Sequence, residues 1–181
     1  MKYERRIILK DGRVALLRNG GAEDGQAVLD VFLRTHAETD NLLTYPDECG
    51  FDAEQEAQYL AAKAESPNEI EIVAFVDGRV AGTAGIDAVG NRRKLRHRAD
   101  FGIGLLKEYW GLGLGRALTV ACIECAAKAG YAQLELNVVV ENERAIALYR
   151  SLGFEEFGRN PMGFDSPVSG FQELVYMRLV L

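Results

Sequence analysis

Residues 108–118 read "EYWGLGLGRAL", and the reading of this stretch decides the fold. Glycines at 111, 113 and 115 alternate with apolar residues, directly after a run of strand character and directly before one of helix character. A strand, a glycine-rich turn and a helix N-terminus make a generic anion site, because free backbone N–H groups and the positive end of the helix dipole converge there. Glycine lets a ligand approach the backbone with no Cβ in the way. The dinucleotide fingerprint G-x-G-x-x-G fails here, since Arg116 stands where the third glycine would follow Gly111 and Gly113. The P-loop pattern also fails, because no Lys-Ser or Lys-Thr follows a glycine. Taken alone, the loop is either a structural tight turn or a cradle for another anion.

Upstream, residues 11–20 ("DGRVALLRNG") read as a first strand flanked by turn residues. Residues 22–40 place Val28, Leu29, Phe32, Leu33 and His36 on one helical face. Residues 52–66 predict a second helix with Asp52 as N-cap and Pro67 beyond its end. The segments "EIEIVAFV" (69–76) and "RVAGTAGIDAV" (79–89), separated by Asp-Gly, predict a hairpin. "HRADFGIGLL" (97–106) is the strand that feeds the glycine loop, and residues 116–130 form a helix closed by Gly130. "AQLELNVVV" (132–140) is apolar enough to be a central strand covered on both faces. A short helix follows, capped by Asn142 and ended by Gly153. Two closing strands, 154–158 and 173–180, flank the turn-rich "RNPMGFDSPVSG". The order predicts a single α/β domain over residues 1–181. Its mixed sheet should have about six or seven strands, with helices on both faces and one strand–helix–strand crossover.

Composition sets bounds on function. The chain is 48% hydrophobic and 27% charged with a net charge of −6, a globular balance that disfavours a nucleic-acid partner. No apolar run is long enough to span a bilayer, and the first residues lack a continuous hydrophobic core of a signal peptide. A cytoplasmic location with no membrane partner is therefore expected. Cys122 and Cys125 form a C-x-x-C, but in mid-helix and with no second pair, so they read as buried structural thiols. The two histidines, His36 and His97, are too scattered for a metal site.

Asn142 and Tyr149 stand two helical turns apart in "NERAIALYRSLGF" (142–154), so both can face one cleft. Together with "ADFGIGLLKEYWGLGLGRAL" (99–118), this stretch resembles the two signature motifs of the GNAT superfamily of N-acetyltransferases. The resemblance covers the whole order of elements and is most specific from Asp100 to Phe154. It implies acetyl-CoA as co-substrate and a primary amine as acceptor. The family's loop reads Gln/Arg-x-x-Gly-x-Gly/Ala; Gly113 and Gly115 match it, and Trp110 stands at the Gln/Arg position. By resemblance, Ile103 and Leu105 offer main-chain groups to the pantetheine arm. Gly111, Gly113, Leu114, Gly115 and Arg116 hold the pyrophosphate, and Asn142 and Ala145 line the other wall. Tyr149 acts as general acid: a phenol of pKa near 10 suits a nascent thiolate of pKa about 8.5.

The acceptor must lose a proton before it attacks. Some family members carry a glutamate twelve residues ahead of the tyrosine, where this chain has Asn137. Asp100 is the expected base, with Glu135 and Asp87 as alternatives and a relay through water as another route. The connection between the first two helices and the loop before the last strand should shape the acceptor site. Glu38, Asp40, Asp47 and Glu48 would suit a cationic amine. The basic stretch Arg92–Arg98 reads as a solvated turn at the far end of its strand from the glycine loop. A homodimer is compatible with such a domain. The competing reading is a module of the same fold that binds acyl-CoA without turnover.

Overall fold

Asp77 (φ 50°) and Gly78 (φ 76°) turn the chain between β3 (Ile70–Val76) and β4 (Arg79–Ala88), the hairpin that the Asp-Gly pair predicts. In this computed structural model, which describes residues 1–181, the hairpin lies inside an eight-stranded sheet. The other strands are β1 (Glu4–Ile8), β2 (Val14–Asn19), β5 (Arg98–Leu105), β6 (Gln133–Val139), β7 (Glu155–Ser166) and β8 (Gly170–Val180). The spatial order is β1-β2-β3-β4-β5-β6-β8-β7. Every neighbouring pair is antiparallel except β5–β6, which is parallel.

Four helices complete the chain: α1 (Gly25–Glu38), α2 (Ala53–Glu65), α3 (Leu114–Ala129) and α4 (Glu143–Ser151). Asp52 starts α2 with a capping box: it accepts from Gln55 N–H at 2.9 Å while its own N–H donates to Gln55 Oε1 at 3.0 Å. Gly130, at φ 82°, ends α3 in the left-handed conformation that glycine adopts without strain. The two faces of the sheet can be assigned from neighbouring β5 residues. A Cβ on Gly104 would point to Thr35 of α1, 3.5 Å away, whereas Leu105 lies beside Gly115 of α3, as does Leu148 of α4. Successive strand residues face opposite sides, so α1 and α2 cover one face while α3 and α4 cover the other. Leu118, Ala121, Cys122 and Cys125 bury the inner face of α3, and burial raises the pKa of both thiols. These cysteines are core residues.

The strand count differs from the expected six or seven in one place and the strand lengths in another. β1, "ERRII", pairs with β2 as an exposed edge strand; its charged residues hide the alternation that marks a half-buried strand. At the other edge, β7 runs on to Ser166 through a stretch that reads as turn. Pro161 is tolerated there because β7 pairs only with β8, and the register slips between Glu156 and Gly158 and again between Asn160 and Phe164.

Leu118, fully buried on α3, tests how tightly the crossover helix is packed. Leu118→Ala is expected to destabilise the domain by about 2–5 kcal/mol, read from the urea midpoint with an unchanged slope.

Candidate active site

The parallel ladder between β5 and β6 holds only Arg98–Gln133, Ala99–Leu134 and Asp100–Glu135 before the strands part. On its other side β5 stays paired with β4 as far as Leu105. Leu106 N–H donates to Ala81 and Val89 N–H to Arg98, so even-numbered β5 residues exchange hydrogen bonds with β4. The main-chain groups of Ile103 and Leu105 therefore point into the gap. The Leu105 carbonyl accepts from Trp110 Nε1–H at 2.7 Å, which leaves its N–H and both groups of Ile103 free of strand partners.

Trp110 thus ties the glycine loop to the end of β5. Arg144 and Lys107 lie over its ring, 5.7 and 5.8 Å from the centroid. Gly111 and Gly113 adopt φ values of 80° and 95°, and Gly113 is the N-cap of α3. The helix's first backbone bond within the turn is Ala117 N–H to Gly113, so the amides of Leu114, Gly115 and Arg116 have no partner within the helix. Three orphan donors, a helix dipole and the guanidinium group of Arg144 meet at the mouth of the gap, while the Arg116 guanidinium donates to the Ser151 hydroxyl at the end of α4. That set fits a diphosphate.

The start of α4 forms the facing wall. Asn142 caps it by accepting from Ala145 N–H at 3.3 Å, and Arg144 approaches Gly111 closely. Tyr149, 6% exposed, packs edge-on against Phe101 at 6.0 Å and tilted against Phe154 at 5.8 Å. Burial pushes its phenol well above the usual value, so the hydroxyl stays protonated. Ile103, Leu105, the loop, Asn142, Ala145 and Tyr149 are therefore brought together around one gap.

Of the expected bases, Asp100 stands at the gap, and Glu135 and Asp87 are engaged in ion pairs. Asp100 occupies the closed vertex of the gap, on the α1–α2 face, with its residue surface open to solvent; partial desolvation of the carboxyl and then Glu135 raise its pKa against the pull of Arg98. Glu135 is bound by the Arg98 guanidinium, with Nη2 at 2.7 Å, and this holds its carboxyl below the ordinary value. Asp87 takes the buried ammonium of Lys63. Arg92, Arg93, Lys94 and Arg96 are exposed on the turn before β5, at the end remote from the loop.

On the α1–α2 face lies a cavity of about 500 Å³, lined by both helices, their connection and the sheet as far as Ile103 and Gly104. Of the four acids expected to attract an amine, only Glu48 lines it. Glu38 accepts from Lys107 N–H at 2.7 Å. Asp40 accepts from Tyr45, Ser166 and Ser169 hydroxyls at 2.9, 2.8 and 2.8 Å, pinning the cavity's roof to the β7–β8 turn.

The other two carboxylates that line it, Glu56 and Glu71, are absent from the sequence reading. Glu56 is 8% exposed, and Glu71 stands opposite Gly85 in the ladder. A Cβ on Gly85 would come within 2.1 Å of Glu71 Oε2, so the carboxylate lies across β4 toward β5. Burial pushes the Glu71 carboxyl up to about 7, against the pull of Thr83 and Lys63. A charged residue inside an otherwise apolar strand was the available signal.

The model of the "Acetyltransferase (GNAT) family" matches residues 32–154, more than half of the chain. A GNAT-family acetyltransferase from Streptococcus pneumoniae superposes with a TM-score of 0.88 at 30% identity, over 92% of this chain and 99% of that one. The yncA structure from Salmonella typhimurium, solved with acetyl-CoA, shares the fold at a TM-score of 0.82 and 20% identity, over 92% and 94%. This chain belongs to the acetyltransferase (GNAT) family. Among curated relatives, the L-amino acid N-acetyltransferase AaaT of Escherichia coli is 38% identical over 51% of this chain and 57% of its own length. The mycothiol acetyltransferase of Kocuria rhizophila is 46% identical over 32% of this chain and 19% of its own length. The chain thus spans less than two thirds of either.

A raised carboxyl pKa in the folded state means stability that is present below the ordinary value and lost as pH rises through the folded one. For Glu71 that window runs from the ordinary 4.5 to about 7. Glu71→Gln is accordingly expected to raise Tm relative to the parent at pH 8 and to leave it unchanged near pH 4.5, as read by thermal melts across that range.

Proposed function

We propose that this chain transfers the acetyl group of acetyl-CoA to a primary amine, on a small molecule or a protein N-terminus, by direct attack of nitrogen on the thioester. The observation that carries the reading is the β5–β6 gap: free main-chain groups along one edge and an orphan-amide cradle at its mouth. The relatives support it through their own acceptors, since AaaT is named for L-amino acids and an Escherichia coli relative for the alanine of ribosomal protein bS18.

In this reading, Ile103 and the N–H of Leu105 pair with the pantetheine amides in the manner of an added strand. The amides of Leu114, Gly115 and Arg116 hold the diphosphate, helped by Arg144 across the mouth. Acetyl-CoA supplies an activated acyl carbon whose leaving group is a thiolate. The gap opens to both faces of the sheet, so the thioester can be reached from the cavity side by the amine and from the α4 side by Tyr149. Tyr149, kept protonated by burial, donates its proton to the departing sulfur. A proton released to solvent on the cavity side can pass through water to Asp100, exposed at the vertex.

Tyr149→Phe is expected to lower kcat by roughly 100-fold or more while the acetyl-CoA Kd from titration calorimetry stays at the parent value. An unchanged kcat would remove Tyr149 from the chemistry. A parent protein that binds acetyl-CoA but releases no thiol with any amine would be an acyl-CoA-binding module instead.

A further inference from the structure

Resting on that reading, we infer that Glu71 receives the acceptor's ammonium group and takes its proton, and that the acceptor is a small primary amine with an apolar body and no carboxylate. The cavity joins three carboxylates, Glu48, Glu56 and Glu71, to apolar walls such as Leu29, Phe32 and Phe51, and neither lysine nor arginine lines it. Glu56 is nine-tenths buried there with no ion pair and no side-chain hydrogen bond. An unpaired carboxylate in such a wall is costly, and a cationic guest offsets that cost.

Geometry points the same charge at the reacting centre. Glu71, Gly85 and Gly102 stand in one row across β3, β4 and β5. Two consecutive glycines leave the sheet bare from Glu71 to the edge of the gap, and a Cβ on Gly102 would meet nothing within 4 Å. Strands lie about 4.8 Å apart, so a carboxylate lying over β4 leaves room for one amino group before β5.

No cation is available for a substrate carboxylate. From α2, Lys63 is held by Asp87 of β4 and by the Ile86 carbonyl at 3.2 Å. From α1, His36 faces the cavity as a neutral ring, because burial lowers its pKa and its Nδ1–H donates to the Phe32 carbonyl at 2.7 Å. The other titratable groups facing Glu71 are Glu56 and Tyr59 of α2, and neither is positive at working pH.

The step balances as follows. The R–NH₃⁺ nitrogen gives one proton to the Glu71 carboxylate, and its freed lone pair forms the C–N bond to the acyl carbon. The C–S bond breaks with its electron pair going to sulfur. The second nitrogen proton matches the one that sulfur gains, and Glu71 returns its proton to solvent, leaving R–NH–CO–CH₃, the free thiol and H⁺.

The test compares 2-phenylethylamine with L-phenylalanine, which differ only in the carboxylate, by thiol release with acetyl-CoA and the full chain. The expected kcat/KM ratio is roughly tenfold or more in favour of 2-phenylethylamine. Its rate should rise with pH up to about 7, where Glu71 ionises. Glu71→Gln should lower kcat/KM by roughly 100-fold and abolish that rise. Gly85→Ala, which keeps the charge and displaces the carboxylate, should lower kcat/KM similarly. Both variants should bind acetyl-CoA as the parent does. Preference for phenylalanine, acetylation of neither compound, or a Glu71→Gln variant with parental rate and pH profile overturns the assignment. A parent that does not bind acetyl-CoA overturns the acetyl-transfer reading as well, so calorimetry tells the two failures apart.

Discussion

A parallel ladder that stops after Asp100–Glu135 is the constraint on which the site depends. The strands part because each is committed elsewhere: β5 follows β4 to Leu105, and β6 follows β8 to Val139. Two antiparallel partners with different courses pull one parallel pair open. Backbone donors and acceptors normally find partners within the fold, and here the fold withholds one strand's worth of them. The opening would have little use without α3, whose N-terminus stands at its mouth, or without the Trp110 bond that fixes the loop to β5.

Charge is divided along the same line. Cations gather where α3 and α4 meet the loop, and carboxylates line the cavity on the other face of the sheet. The net charge of −6 conceals this separation, since it sums over both regions. A doubly ended substrate pair, one partner anionic and the other cationic, would be sorted by this field before any contact was made.

Features governed by local backbone rules were legible in the sequence. The Asp77-Gly78 turn, the Asp52 cap, Gly113 before α3 and the Asn142–Tyr149 spacing all appear as read. What escaped depends on tertiary cover. In "EIEIVAFV" the glutamates alternate with isoleucines, which locally resembles a solvated strand face. Only the packing of α1 and α2 over that face makes Glu71 a buried group in a cavity. Of the acids expected around the α1–α2 connection, Glu48 lines the cavity, whereas Glu38 and Asp40 serve as hydrogen-bond acceptors for distant backbone and hydroxyl donors. β1 and the far half of β7 are edge structure, held by pairing and weakly marked by pattern.

The tie at Asp40 joins segments more than a hundred residues apart, with Tyr45 and Asp40 on one side and Ser166, Ser169 and Gln172 on the other. The β7–β8 turn contributes nothing to the cavity wall, yet it carries the buttress for the roof. Substitutions at Ser169 in that turn would therefore shift the roof of the cavity without altering any residue along the β5–β6 gap.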